Sequence, residues 1–308
     1  MSTGGSTRAI VAALGANAGI ALAKFGGFVL TGSSSMLAES VHSLADTSNQ
    51  GLLLLGKRTS LREPTEQHPF GYGRDRYFYS FVVALLLFSL GSVFAIYEGV
   101  HKLEAPEPLS SPLVAVLILV IALVLEGMSF RTAVRESKQL KGGLSWWQYV
   151  RQAKTPELPV VLLEDAGALV GLAFALGGVG LSVLTGNPVW DGIGTLCIGT
   201  LLGLIAIVLI VETKSLLIGE GATRAVREQI SRELAAGRVR GVIHLRTQYL
   251  GPEELLVAAK IELEPALSVA EVAAEIDAAE ARVRAQVPAA RLMYLEPDLE
   301  RTPITEQA

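Results

Sequence analysis

The sequence predicts an all-α membrane domain of six transmembrane helices over residues 1–212, followed by a small C-terminal α+β domain over residues 213–308. Three observations predict it. Hydrophobic residues make up 50% of the chain and charged residues only 18%, against ~25% charged in a typical soluble domain. The stretches 77–97, 166–184 and 193–211 carry no charge, and 9–36 is interrupted only by Lys24. After residue 211 the chain turns charge-rich and amphipathic.

Taken in order, the spans are 9–30, 36–56, 77–100, 113–134, 158–184 and 190–212. Each is long enough to cross a hydrocarbon core of ~30 Å as a helix rising about 1.5 Å per residue. The span at 36–56 is the least apolar, because it carries Glu39, His42 and Asp46; hydropathy alone undervalues it. The opening MSTGGSTRAIVAALG has neither a strong basic head nor a small-residue cleavage site, so it reads as a short tail entering the first span.

The connections alternate in basic residues. Lys57, Arg58, Arg62, Arg74 and Arg76 crowd one loop, and Arg131, Arg135, Lys138, Lys141, Arg151 and Lys154 another. The turns at 31–35 and 185–189 have no basic residue and 101–112 has only Lys102. Basic loops face the cytoplasm, which predicts an integral, multi-pass protein with both termini cytoplasmic. The compact loops suggest a bacterial inner membrane.

Beyond the spans, GEGATRAVREQISRELAAG reads as an amphipathic helix ending at glycine. VIHLRTQYLGPEELLVAAKIELEP reads as two alternating strands joined at Gly251-Pro252. SVAEVAAEIDAAEARVRAQV opens on Ser268 with Glu271 three residues on, a capping box. ARLMYLEP is a last strand and PITEQA a frayed tail. A domain of this size has a thin core, which favours pairing with a second copy.

Composition also excludes. One cysteine, Cys197 within a span, leaves neither a disulfide framework nor a thiolate cluster. A net charge of -4 does not suit nucleic acid; the natural surroundings are membrane lipids. No histidine stands in an H-E-x-x-H arrangement, so an intramembrane hydrolase is disfavoured and no catalytic residue is expected.

Ionisable residues within a bilayer are costly and mark paths or sites. His42 and Asp46 are i and i+4 on one helix, about 40° apart, so both can reach one ion from the same side. Glu39 lies on that face one turn nearer the external end, with Ser43 and Asn49 as further lining or proton-exchange candidates. A second helix must complete the shell, and Asp165 is the natural donor there. Glu164 points about 100° away; it is a further metal-ligand candidate that can join the same ion only if its long side chain bends round, and it otherwise suits orienting a ligand or exchanging protons. Imidazole plus carboxylates form a divalent-cation ligand set. Lys24 is expected to snorkel or to pair with an acid, and Glu126 likewise.

The runs TGSSSMLAESVHSLAD (31–46) and HPFGYGRDRYF (68–78) resemble the cation diffusion facilitator transporters, as do DGIGTLCIG (191–199), VETKSLLIGEG (211–221) and the LRTQ and KIELE segments of the C-terminal region. The resemblance covers nearly the whole chain. It implies a homodimer of six-span subunits with a ferredoxin-like cytoplasmic domain. It further implies export of a divalent ion, zinc foremost, in exchange for protons by alternating access, with no cofactor beyond the transported ion.

Departures refine that picture. The family's fifth-span histidine is replaced by Val161 within VLLED, which resembles the subgroup carrying E-D there and including a mitochondrial zinc transporter. Loss of that nitrogen makes the site more oxygen-rich and admits manganese, iron or cobalt. It also motivates an alternative, a membrane scaffold that transports little. An accessory loop site of some relatives keeps only His68, with Thr65 and Tyr72 in the other places, so a structured turn is expected. In the cytoplasmic domain Ile243, Glu262 and Glu296 stand where some relatives have ligands, with His244 displaced by one; no multinuclear cluster is expected there.

Overall fold

The structure is a computed structural model, and it describes residues 18–106, 108 and 111–299. The expected tail and the start of the first span, up to residue 17, lie outside the described residues, as does PITEQA. The chain forms two compact units, residues 1–59 with 76–214, and residues 60–75 with 215–308.

The first unit is helical. Helix α1 is Ala18–Thr31, α2 is Ser34–Thr59, and α3 runs through Asp75–Glu104. Helix α4 is Pro112–Lys141, α5 Trp146–Gln152, α6 Glu157–Thr185 and α7 Val189–Ile218. Four of these, α3, α4, α6 and α7, are long and apolar enough to cross a membrane. Helix α2 is not among them, which follows from its buried Glu39, His42 and Asn49 and its serines. Met36, Leu53, Val83, Leu87, Leu119, Leu172, Ile198 and Leu202 form the shared apolar core of this unit.

Two local features were not predicted. Within α3, Leu87–Val93 is π-helical, a widening often found at functional sites. Ser92 uses it to reach across to α7, where its hydroxyl donates to the Gly199 carbonyl at 2.8 Å. Helix α5 interrupts the basic segment between α4 and α6. Its capping box is complete, with Ser145 and Gln148 exchanging side-chain-to-backbone bonds, so S-x-x-Q was a readable start signal.

The second unit holds α8 Arg224–Leu234, β1 Val239–Gly251, β2 Glu254–Leu263, α9 Val269–Gln286 and β3 Leu292–Pro297. Strand β2 is central, antiparallel to β1 and parallel to β3. It buries every second residue, Leu255, Val257, Ala259, Ile261 and Leu263, the period of a half-covered strand. Those residues meet Ile230 and Leu234 of α8 and Ala279 and Val283 of α9. The predicted elements and the Ser268–Glu271 capping box are all present. A ferredoxin-like β-α-β-β-α-β order is matched only from its first helix onward, as α8-β1-β2-α9-β3 among the described residues.

The loop 60–75 packs in this unit, where Gly73 lies so close to Leu250 and Gly251 that an added Cβ would stand 2.7 Å from the Leu250 carbonyl oxygen. The expected turn is built from Thr65, His68 and Tyr72. Thr65 and Tyr72 hydroxyls are 3.2 Å apart, His68 N–H bonds to the Thr65 carbonyl at 3.0 Å, and the His68 and Tyr72 rings lie 4.7 Å apart.

Candidate metal-ion path

The site begins with how α2 is held. Its first N–H groups have no intrahelical acceptors, and a carboxylate from α7 supplies one. Asp191 Oδ2 accepts from Ser34 N–H at 2.9 Å and from the Ser34 hydroxyl at 3.2 Å, and Oδ1 accepts from the Ser33 hydroxyl at 2.8 Å. Thr195 adds hydroxyl contacts of 3.1 Å and 3.0 Å to Ser34 and Ser35. A fully buried negative charge at a helix N-terminus is matched by hydrogen bonds and by the helix dipole. Asp191 was quoted in a motif without a role. The signal that could have found it is a lone acid just ahead of the uncharged stretch 193–211.

From that fixed start, four residues fall within about 100° of arc on α2: Glu39, His42, Ser43 and Asp46. His42 Nε2 and Asp46 Oδ2 are 3.4 Å apart, as the H-x-x-x-D spacing predicts. Around this pair, buried polar atoms lack hydrogen-bond partners. They are both imidazole nitrogens of His42, Asp46 Oδ1, Asn49 Oδ1 and Glu39 Oε1, all on one helix. Nine in ten buried polar groups are ordinarily satisfied, so five such atoms on one helix, with His42 Nε2 facing Asp46 Oδ2 at 3.4 Å, make this stretch of α2 a candidate site. Imidazole nitrogen, carboxylate oxygen and amide oxygen suit a borderline or hard divalent cation passing through.

Helix α6 faces this pair with two acids in different settings. Glu164 Oε1 accepts from Asn49 Nδ2 at 2.8 Å, a direct tie to α2. Asp165 Oδ2 instead accepts from the Ser129 hydroxyl of α4 at 3.0 Å. The geometry thus ties Glu164 to α2 through Asn49 and one Asp165 oxygen to α4 through Ser129. Ser129 was missed, since nothing local marks a serine as a partner for an acid on another helix. Among the described residues no group of three or more His, Cys, Asp or Glu side chains is arranged to hold a metal ion.

Lys24 does not snorkel. It is fully buried, with its ammonium 3.0 Å from Glu39 Oε2, 2.7 Å from Ser43 Oγ and 3.9 Å from Glu126 Oε1. Pairing, the other expectation for Lys24 and Glu126, is what the structure contains, because a buried ammonium without carboxylates would be prohibitively unstable. Glu39 and Ser43 are therefore engaged with Lys24. Gly171 of α6 makes room for Glu39, since a Cβ there would lie 2.6 Å from Glu39 Oε1.

Residues 10–218 match the family described as the cation efflux transmembrane domain. The chain belongs to the cation efflux family. This cation efflux protein is 38% identical over 241 residues to the proton-coupled zinc antiporter SLC30A9, mitochondrial, of Xenopus laevis, an alignment covering 77% of this chain and 43% of that one. It is 32% identical over 260 residues to metal tolerance protein C4 of Arabidopsis thaliana, covering 83% and 57%. It thus spans about half the length of these curated relatives. Among solved structures, a nickel form of the MamM C-terminal domain matches 26% of this chain and 100% of its own, at 24% identity and a TM-score of 0.24.

Proposed function

We propose that this cation efflux protein carries divalent metal ions, zinc foremost, across a membrane in exchange for protons. The observation that carries the reading is the row of buried donor atoms on α2 without a hydrogen bond, His42 Nδ1 and Nε2, Asp46 Oδ1 and Asn49 Oδ1, with His42 Nε2 3.4 Å from Asp46 Oδ2. The name of the frog relative, a proton-coupled zinc antiporter, supports zinc and proton coupling. In this reading α1 and α2 complete a six-span domain, the basic loops and both termini are cytoplasmic, and the C-terminal unit is a ferredoxin-like dimerisation domain.

The ion enters from the cytoplasmic side between α2 and α6 and is held by His42, Asp46 and Asp165. Asn49 fixes the Glu164 carboxylate beside it, which orients the shell or passes protons. A proton and a metal ion compete for the same imidazole nitrogen, so protonation of His42 on the far side releases the ion. Metal uptake into proteoliposomes, comparing zinc, manganese, iron(II) and cobalt, tests this. Uptake lost in Asp46→Ala and Asp165→Ala supports the shared site. Absence of transport of every ion by a folded protein refutes the reading.

A further inference from the structure

The unexpected element of the path is a fully buried ammonium. Lys24 comes from α1 and ends between Glu39 and Ser43 of α2, with Glu126 of α4 beyond. Ser43 adjoins His42 in the chain, and Glu39 is one turn from it, so the ammonium occupies the side of the α2 face next to the His42–Asp46 pair. Glu39, Asp46, Glu126, Glu164 and Asp165 are wholly or largely buried in this helical unit, as is Asp191 of α7 at the head of α2, and Lys24 is the most deeply buried cation among the described residues, ahead of Lys102.

We propose that Lys24 is a tethered counter-cation that weakens the grip of the His42–Asp46 pair on a divalent ion, so that the ion can leave. The inference rests on the transport reading above. Without the lysine, the acids facing an incoming ion would be offset only by that ion, and binding would be tight and release slow. With it, the ion shares the acids with a positive charge that cannot diffuse away. Transport needs binding strong enough to enter and weak enough to leave. The ammonium also occupies Glu39 and Ser43, so these two residues, otherwise suited to hold the ion longer, act through Lys24.

The electrostatic effect is large enough to read. One unit charge acting on a divalent ion within a Debye length in a partly buried setting shifts affinity by roughly tenfold or more. The test measures zinc dissociation constants on the full-length protein in nanodiscs by equilibrium dialysis, together with zinc uptake kinetics in proteoliposomes. Lys24→Gln is expected to bind zinc roughly tenfold tighter and to show KM and kcat falling together. Lys24→Arg, which keeps the charge, is expected to retain the unaltered constants.

Lys24→Gln strands Glu39, so the comparison is repeated where it cannot. Removing Lys24 in a Glu39→Gln background is expected to tighten zinc binding by a similar factor. Equal dissociation constants for Glu39→Gln and the double variant overturn the proposal, as does weaker binding in the double variant. A merely structural lysine would move thermal stability and leave that pair of constants alike. Absence of zinc binding to the unaltered protein overturns the transport reading with it, whereas intact binding insensitive to Lys24 overturns this inference alone.

Discussion

Asn49 on α2 and Glu164 on α6 are joined by a 2.8 Å hydrogen bond across 115 positions of sequence. It is a direct side-chain tie between the two helices that carry the candidate ion ligands. Asn49→Ala removes the donor that fixes Glu164. Groups that orient metal ligands are worth roughly 10–100-fold in affinity or activity. Zinc uptake by this variant is therefore expected to fall roughly tenfold while Asp46→Ala abolishes it. Uptake equal to that of the unaltered protein would remove Asn49 and Glu164 from the path.

Gly171 tests the close approach of Glu39 to α6. A methyl group there would stand 2.6 Å from Glu39 Oε1, so the buried carboxylate, whose other oxygen is 3.0 Å from Lys24 Nζ, would have to shift. Overpacking of this kind costs about 1–3 kcal/mol. Gly171→Ala is expected to lower the thermal midpoint in detergent, with partial recovery in a Gly171→Ala, Glu39→Ala double variant. A midpoint unmoved by the single substitution would show that the helices separate easily at this point.

Asp191 tests the anchoring of α2. Its carboxylate takes three hydrogen bonds from Ser33 and Ser34 at the helix start. Hydrogen bonds to a buried charge and a lost helix cap together make Asp191→Ala worth about 2–4 kcal/mol. Amide exchange by mass spectrometry should show the gain in opening concentrated in the first turn of α2. Uniform opening over all helices would point to a general packing defect instead.

The C-terminal unit carries a pH test at a residue outside the long apolar helices. Glu271 is held down to about 2 from an ordinary 4.5 by the backbone N–H and hydroxyl of Ser268 and by Arg238. A carboxyl depressed by folding stabilises the folded state above its unfolded value and loses that contribution as pH falls through the folded one. The window is therefore pH 4.5 down to about 2. Glu271→Gln is expected to flatten the acid-induced rise in amide exchange over Val269–Gln286, once the intrinsic pH dependence of exchange is subtracted. An unchanged acid profile would mean that the capping box does not control this helix.

Much of this was legible because it is local. His42 and Asp46 share a face by helical period, Glu271 caps by a three-residue spacing, and β2 alternates by its pleat. What was not legible depends on distance in sequence. Lys24 could be placed in a span but not matched to Ser43 or Glu126, and nothing in VLLED says that Glu164 turns to α2 and Asp165 to α4. Period tells which side of a helix a residue occupies, and only tertiary packing decides which helix waits on that side. The π segment of α3 was hidden for a related reason, since LFSLGSV reads as ordinary apolar helix until Ser92 finds the Gly199 carbonyl.

The cap on α2 has a consequence for how the protein is made. Ser34 leaves the ribosome 157 positions ahead of Asp191, a lag of roughly 8–30 s at ~5–20 residues per second. Throughout that interval a helix too polar to count as a span by length and hydropathy lacks the carboxylate that holds its first turn. Until α7 is made, the first N–H groups of α2 must find another acceptor, because the side chain that serves them has not yet been synthesised.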